Sequence, residues 1–369
     1  MIDIQKPDKH RLLAAFARET WDRVPNLELV VMRRNLEAIL GTERLATIRE
    51  DYRNLRTIWP PRSEDERHDR SILAGSSCYL PLPDYQKFLE CTGQDAAVCT
   101  LSWKPKSRVP KAEGVVAQSQ DGIMQGREDL HLFPAQPDAD EMITVLDKYI
   151  SHFRGTGIGV GVILRSVFCN TYETLGIENF MYKLYDDPGL LEELFLKFHA
   201  YSRRMAELVA ERDIDFLIID DDLCDNSGFM VNPQYLRDHW VPVTKDIIAP
   251  VLSKGVPVLF HCCGNVRSFI PMIVEMGGCG IHPVQPNCND IYAYKREFGK
   301  DICFIGNMDI AGVLARGTPE EVTADTKKHI DGLARGGGYV VCSSHSIIDA
   351  IPPRNYQAMR ESVIAYGRF

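Results

Sequence analysis

Val256-Pro-Val-Leu-Phe-His-Cys-Cys-Gly-Asn265 carries the first decision about the fold. A short apolar run breaks off into His261, Cys262, Cys263, Gly264 and Asn265. It is too short for a buried helix and has the length of a strand covered on both faces. The same pattern recurs along the chain. Ile214-Asp-Phe-Leu-Ile-Ile219 ends in Asp220-Asp-Asp222, and Ile302-Cys-Phe-Ile305 ends in Gly306-Asn-Met-Asp309. Gly338-Tyr-Val-Val-Cys342 ends in Ser343-Ser-His345. Gly157 to Leu164, Gly280 to Gln285 and the early Arg23-Val-Pro-Asn-Leu-Glu-Leu-Val-Val31 complete the set of strands. Helical spacing covers 179–185, 188–212, 233–252, 266–276, the stretch up to Phe298, and a last helix from about Pro353. Asn232 and Pro233 are placed as cap and first turn, and Thr318-Pro-Glu-Glu321 has a capping-box pattern. Buried strands alternating with helices predict a parallel sheet wrapped by helices. About seven such units and one irregular one suit an α/β protein of the (β/α)8, or TIM, barrel type, with residues 1–369 as one domain.

Outward from these strands the pattern weakens. Asp8 to Thr20 and residues 33–54 read as helices. From about 53 to 137 the chain is rich in Pro, Gly, Ser and charge, with strand-like pieces such as Gly114-Val-Val-Ala117. This stretch reads as an irregular insertion or lid, serving as a partner surface or as plain surface elaboration. Gly336-Gly-Gly338 lacks phosphate-loop spacing and precedes a strand, so it reads as a tight helix-to-strand turn.

Composition excludes several classes. A hydrophobic fraction of 45% over 369 residues supports a large core. Lys and Arg number 42 against 51 Asp and Glu, a net charge of −9, which argues against a general nucleic-acid binder. No apolar run reaches the roughly 18 residues of a membrane span, and the start carries no apolar signal region. The 11 cysteines are odd in number and irregular in spacing. A cytoplasmic chain with free thiols is expected, each thiol a buried hydrophobe, a ligand or a nucleophile.

The polar clusters fall just after strand ends, where barrel enzymes hold their chemistry. His261 and Cys263 are two residues apart on chain leaving a strand, and imidazole with thiolate is a zinc-type ligand pair. Buried thiols beside a structural histidine are the plainer alternative. Cys342 to His345 offers a third ligand. Asp221 or Asp222 can orient a ligand histidine or accept a substrate proton, or the acids can simply be solvated. Gln285 can lend an amide oxygen to metal or substrate. Asn307 and Asp309 are expected to line the substrate pocket. Glu28 suits a general acid if burial raises its pKa.

Together these motifs resemble the uroporphyrinogen decarboxylase superfamily. The resemblance rests on Arg23-Val-Pro25, Asp221-Asp222, His261-x-Cys263-Gly-Asn265, Gln285-Pro286, Gly306-Asn-Met-Asp309, Gly336-Gly-Gly-Tyr339, and Ser344-His345 ahead of Pro352 and Asn355. The chain departs from the true decarboxylase. Val30 stands where that enzyme has an arginine, Met32-Arg33 is displaced, and no Gly-Arg-Tyr follows. It looks more like the corrinoid-dependent methyltransferase branch, which carries a His-x-Cys zinc motif and a third ligand, usually Cys, after the last strand. By that resemblance His261 and Cys263 are ligands. The aligned third position holds His345, with Cys342 three residues earlier as the fallback.

The departure has a chemical consequence. Two thiolates would cancel the charge of Zn²⁺ and favour methyl transfer to a thiol. One thiolate leaves a net charge of about +1 and a better Lewis acid. The resemblance thus implies a zinc methyltransferase that moves a methyl group from a small methylated substrate, most simply an aryl methyl ether, to a Co(I) corrinoid. That corrinoid would be carried by a partner protein, since the chain has no Asp-x-His-x-x-Gly signature, and the 53–137 insertion would help to dock it. The alternatives are transfer from a methyl-corrinoid to a thiol of the coenzyme M type, a metal-free decarboxylase or lyase, and a non-enzymatic scaffold.

Overall fold

The computed structural model describes residues 6–47, 77, 80–103 and 122–369. Among the described residues seven strands form one parallel sheet: β1 (Ala96–Thr100), β2 (Gly159–Arg165), β3 (Phe216–Asp220), β6 (Val258–His261), β7 (Gly280–His282), β8 (Cys303–Met308) and β9 (Tyr339–Ser343), adjacent in that order. A two-stranded hairpin, β4 (Cys224–Asp225) and β5 (Gly228–Phe229), follows β3. The extended segment 24–31 takes the remaining position. Leu27 N–H donates to Val341 O and Val341 N–H to Pro25 O, while Asp95 N–H donates to Asn26 O. The early Arg23–Val31 run therefore closes a barrel between β9 and β1.

The strands are apolar throughout because both faces are covered. Side chains alternate between the two sides of each strand. Val98, Phe216, Ile218, Leu259, Cys303, Ile305, Val340 and Cys342 pack together inside the barrel. Val162, Leu217, Ile219, Phe304 and Val341 pack under the helices. Gly161 makes room for this interior, since a Cβ there would lie 2.2 Å from the Phe216 ring.

Helices fill the intervals expected of them, including Ile177–Asp186, Pro188–Ala210, Ile291–Phe298 and Pro353–Tyr366. The Asn232 cap and the Thr318–Glu321 capping box are both formed. Within 233–252 the backbone passes through a π-helical turn, Leu236–Trp240. The early helix breaks at Gly41, which adopts φ of 95°, and helical backbone resumes over residues 42–47. Its projected continuation past residue 47 lies outside the described residues. The stretch 53–137 holds more of the barrel than its composition suggests. The helix Leu82–Thr92 and barrel strand β1 fall inside it, and the helix Ala139–Phe153 follows just beyond. Its other parts, including Gly114–Ala117, largely lie outside the described residues. Among the described residues no helix is long and apolar enough to cross a membrane.

A buried charge cluster joins the closing segment to β1. Asp95 has a fully buried side chain. It accepts from Arg11 Nη1 (2.9 Å), Arg23 Nη2 (3.1 Å), the Asn26 N–H (3.0 Å) and the Asp8 N–H (3.0 Å). Breaking a buried ion pair by removing one partner costs about 3–5 kcal/mol. Asp95→Asn is therefore expected to lower unfolding free energy by about that amount in urea titration. A loss below about 1 kcal/mol would show that the barrel does not rest on this cluster.

Candidate metal centre

The polar residues after the strands gather at one rim of the barrel. Parallel register sets Arg165 beside Asp220, Asp220 beside His261, and His261 beside His282. Four adjacent strands thus end in one polar row. Beyond β6 the backbone turns sharply at Gly264, with φ of 84°, where a Cβ would lie 2.4 Å from Asp225 O. That turn brings the loop against the hairpin, and Asn265 N–H donates to Asp225 O. Gln285 Oε1 accepts from Gly264 N–H at 2.6 Å and Asp222 Oδ1 from Cys263 N–H at 2.7 Å.

This loop carries Cys263 to the barrel mouth while Cys262 turns into the core. Ligand atoms of His261, Cys263 and His345 all lie within 4.8 Å of one another. Cys263 Sγ is 3.8 Å from His261 Nε2, and the His261 and His345 rings are 6.0 Å apart between centroids. Two imidazoles and one thiol are the donors zinc takes in catalytic sites, where three protein ligands leave one position open. Burial, then the nearby Asp222 and Asp220, pushes the Cys263 thiol well above its ordinary range. A bound cation would reverse that preference, since a coordinating thiol is deprotonated.

Cys342 does not join this group. It is fully buried inside the barrel, and its Sγ donates to Glu28 Oε2 at 3.6 Å. Glu28 also accepts from Ser343 N–H (2.8 Å) and Ser343 Oγ (2.6 Å). Burial pushes its carboxyl up to about 8 despite those donors. The raised value that a general acid needs is present, but the carboxyl bonds to Cys342 and Ser343 of the last strand.

The acid run divides. Asp222 stays at the rim, 3.8 Å from His261 Nε2. Asp221 turns away, accepting from Phe168 N–H, Cys169 N–H and Trp240 Nε1. Burial pushes it up to about 7, and its work is to fix the start of the helix Phe168–Leu175. Gln285 has its amide oxygen committed to Gly264. Asn307 donates to Val284 O and meets His329 Nε2 at 3.0 Å, and Asp309 accepts from Ala311 N–H. Both line an open groove of about 740 Å³ with Tyr292, Arg316, Lys328 and His329, and neither belongs to the metal group.

Two further residues, Arg165 and His282, complete the rim. Arg165, at the end of β2, is held by Glu173 (2.7 Å), Asp220 and Asn170 (3.2 Å each). His282 is buried with its Nδ1 2.6 Å from His261 Nδ1. An Arg ending an apolar strand is the sequence sign for the first. For the second, it is a His inside one.

Comparison with known proteins agrees with this architecture. Residues 162–366 match the family model for uroporphyrinogen decarboxylase (URO-D). The chain belongs to the uroporphyrinogen decarboxylase family. It is 24% identical over 161 residues to the methylcobamide:CoM methyltransferase MtbA of Methanosarcina mazei, and 26% identical over 161 residues to that of Methanosarcina acetivorans. Each match covers 44% of this chain and 45% of the relative, so the chain spans less than half the length of these curated relatives. A solved methyltransferase structure from Methanosarcina mazei superposes with a TM-score of 0.63 at 17% identity, over 96% of this chain and 97% of that one. Such a likeness shows the shared barrel fold.

Two predictions follow from the site. His345→Ala is expected to lose bound zinc while Cys342→Ala keeps it, as read by metal analysis after gel filtration. Zinc retained in the first and lost in the second would move the third ligand to Cys342. Glu28 has a folded pKa above its ordinary 4.5. Its contribution to stability is therefore greatest at low pH and is lost as pH rises towards about 8. Wild-type protein is expected to lose stability relative to Glu28→Gln between pH 5 and 8 in chemical denaturation. Parallel curves would show the carboxyl ionised throughout.

Proposed function

We propose that this family member is a zinc-dependent methyltransferase. It takes the methyl group of a small methylated donor, most simply an aryl methyl ether, to the Co(I) corrinoid of a partner protein. The observation that carries this reading is the ligand group itself, one thiol and two imidazoles, with the second candidate thiol, Cys342, enclosed in the barrel. When bound, zinc supplies Lewis-acid polarisation of the ether oxygen, strengthened because only one ligand is anionic.

The chain's own residues do the rest. Asp222 holds the Cys263 loop through the Cys263 N–H, and Gln285 holds the next residue. In the transfer, the electron pair on Co(I) forms the Co–CH₃ bond, the CH₃–O bond breaks, and its pair leaves on the phenolate, which solvent protonates. Cobalt is oxidised from Co(I) to methyl-Co(III), so no further oxidant or reductant is needed. Such a partner suits a reducing cytoplasm, and neither a nucleic acid nor a membrane enters the reaction.

A second reading has one specific support. The two curated relatives are named for methylcobamide and CoM, which suggests a thiol as methyl acceptor. The test runs both directions. Zinc-loaded protein with Co(I) corrinoid protein and methoxylated aromatics is expected to produce the methyl-Co(III) absorption and an equivalent of free phenol. Removing zinc should cut the rate at least 100-fold. Methylation of 2-mercaptoethanesulfonate from methylcobalamin, with no ether turnover, would replace the ether reading by the thiol one.

A further inference from the structure

The histidine pair at the rim fixes a proton. His261 turns Nε2 to the metal group, 3.8 Å from Cys263 Sγ, and Nδ1 to His282 Nδ1 at 2.6 Å. The rings lie 4.8 Å apart at 30°, from register partners on β6 and β7. A neutral imidazole has one N–H and one lone pair. At 2.6 Å, one of the two facing nitrogens must carry the proton and the other must accept it. A cation on His261 Nε2 occupies that nitrogen's lone pair. The His261 proton then sits on Nδ1 and is donated to His282, which carries its own proton on Nε2. The His282 Nε2 atom is enclosed and has no hydrogen-bond partner among the described residues, so none of them competes for that ring's orientation.

We propose that His282 is the positioning residue of the metal centre, accepting the Nδ1 proton of His261 and holding that ring in its ligating tautomer. This rests on the zinc reading above. Ligating histidines generally donate their second nitrogen to a carboxylate, a carbonyl or water. Here the acceptor is a neutral ring. It orients His261 without adding negative charge, which leaves the cation the stronger Lewis acid. The residue touches neither substrate nor metal and acts only through His261.

The test is zinc affinity by competition with a chromophoric chelator, for wild type, His282→Phe and His282→Gln. Phe keeps a ring but cannot accept, and the expected loss is about 10–100-fold. Gln offers a carbonyl oxygen and is expected to recover most of it. Thermal unfolding of the metal-free forms reports whether each variant is folded. If the Phe variant does not fold, ¹⁵N-histidine spectra of zinc-loaded wild type stand alone. With 10 histidines in the chain, His282 should show a bare Nδ1 and a protonated Nε2. Wild-type affinity in the folded Phe variant, or a proton on His282 Nδ1 in the loaded protein, would overturn the assignment. A wild type that binds no zinc would overturn the metal reading and this inference together.

Discussion

A single buried carboxylate joins the two ends of the sheet. Asp95 opens β1, and its oxygens collect two guanidiniums and two backbone N–H groups from residues 8–26. The segment 24–31 has few ladder bonds of its own, only isolated bridges at Asn26 and Val31 with the last part of the chain. Without Asp95, Arg23 would be left charged in the interior, while Arg11 would keep only its ion pair with Asp22 (2.6 Å). With it, the first part of the chain is locked between β9 and β1, and the barrel is closed. Uncompensated buried charge is costly enough to enforce this one arrangement.

Closure is what makes the rim a site. Parallel register places strand ends level, so residues far apart in sequence arrive side by side. His261 from β6 and His345 from beyond β9 meet across the mouth, although β7 and β8 lie between their strands. Just past the strand ends, consecutive residues turn to opposite sides. This sorts chemically similar neighbours into different work: Cys263 to the mouth and Cys262 to the core, Asp222 to the loop and Asp221 to Trp240. Cys342 and Glu28 lie deeper, in a buried polar contact that fastens the closing segment to the last strand.

Much of this was legible in the sequence, for physical reasons. Strands buried on both faces announce themselves as short apolar runs, and the residues that interrupt such runs mark the rim. That signature picks out His261, Cys263 and the cluster 342–345, and within the cluster it is the family resemblance that favours His345 over Cys342. β1 was not, because Ala96-Ala-Val-Cys-Thr100 is small and weakly apolar and follows a charged stretch. The division between Asp221 and Asp222 was also hidden. Alternation is known from sequence, but which phase faces the mouth depends on where the strand ends. Asn307 and Asp309 share the strand-end signature, yet they serve a groove beside the rim, because β8 and the loop after it carry them toward His329. His282 read as strand interior, and only the register with His261 gives it a role.

The proposed centre rests on a single thiolate and two imidazoles holding zinc. X-ray absorption at the zinc edge of the loaded protein reads this directly, because Zn–S bonds near 2.3 Å separate from Zn–N and Zn–O bonds near 2.0–2.1 Å. The account predicts about one sulfur scatterer and about three nitrogen or oxygen scatterers per zinc. Two sulfur scatterers would contradict it, bring a second cysteine into the site, and favour a thiol as the partner of the methyl group.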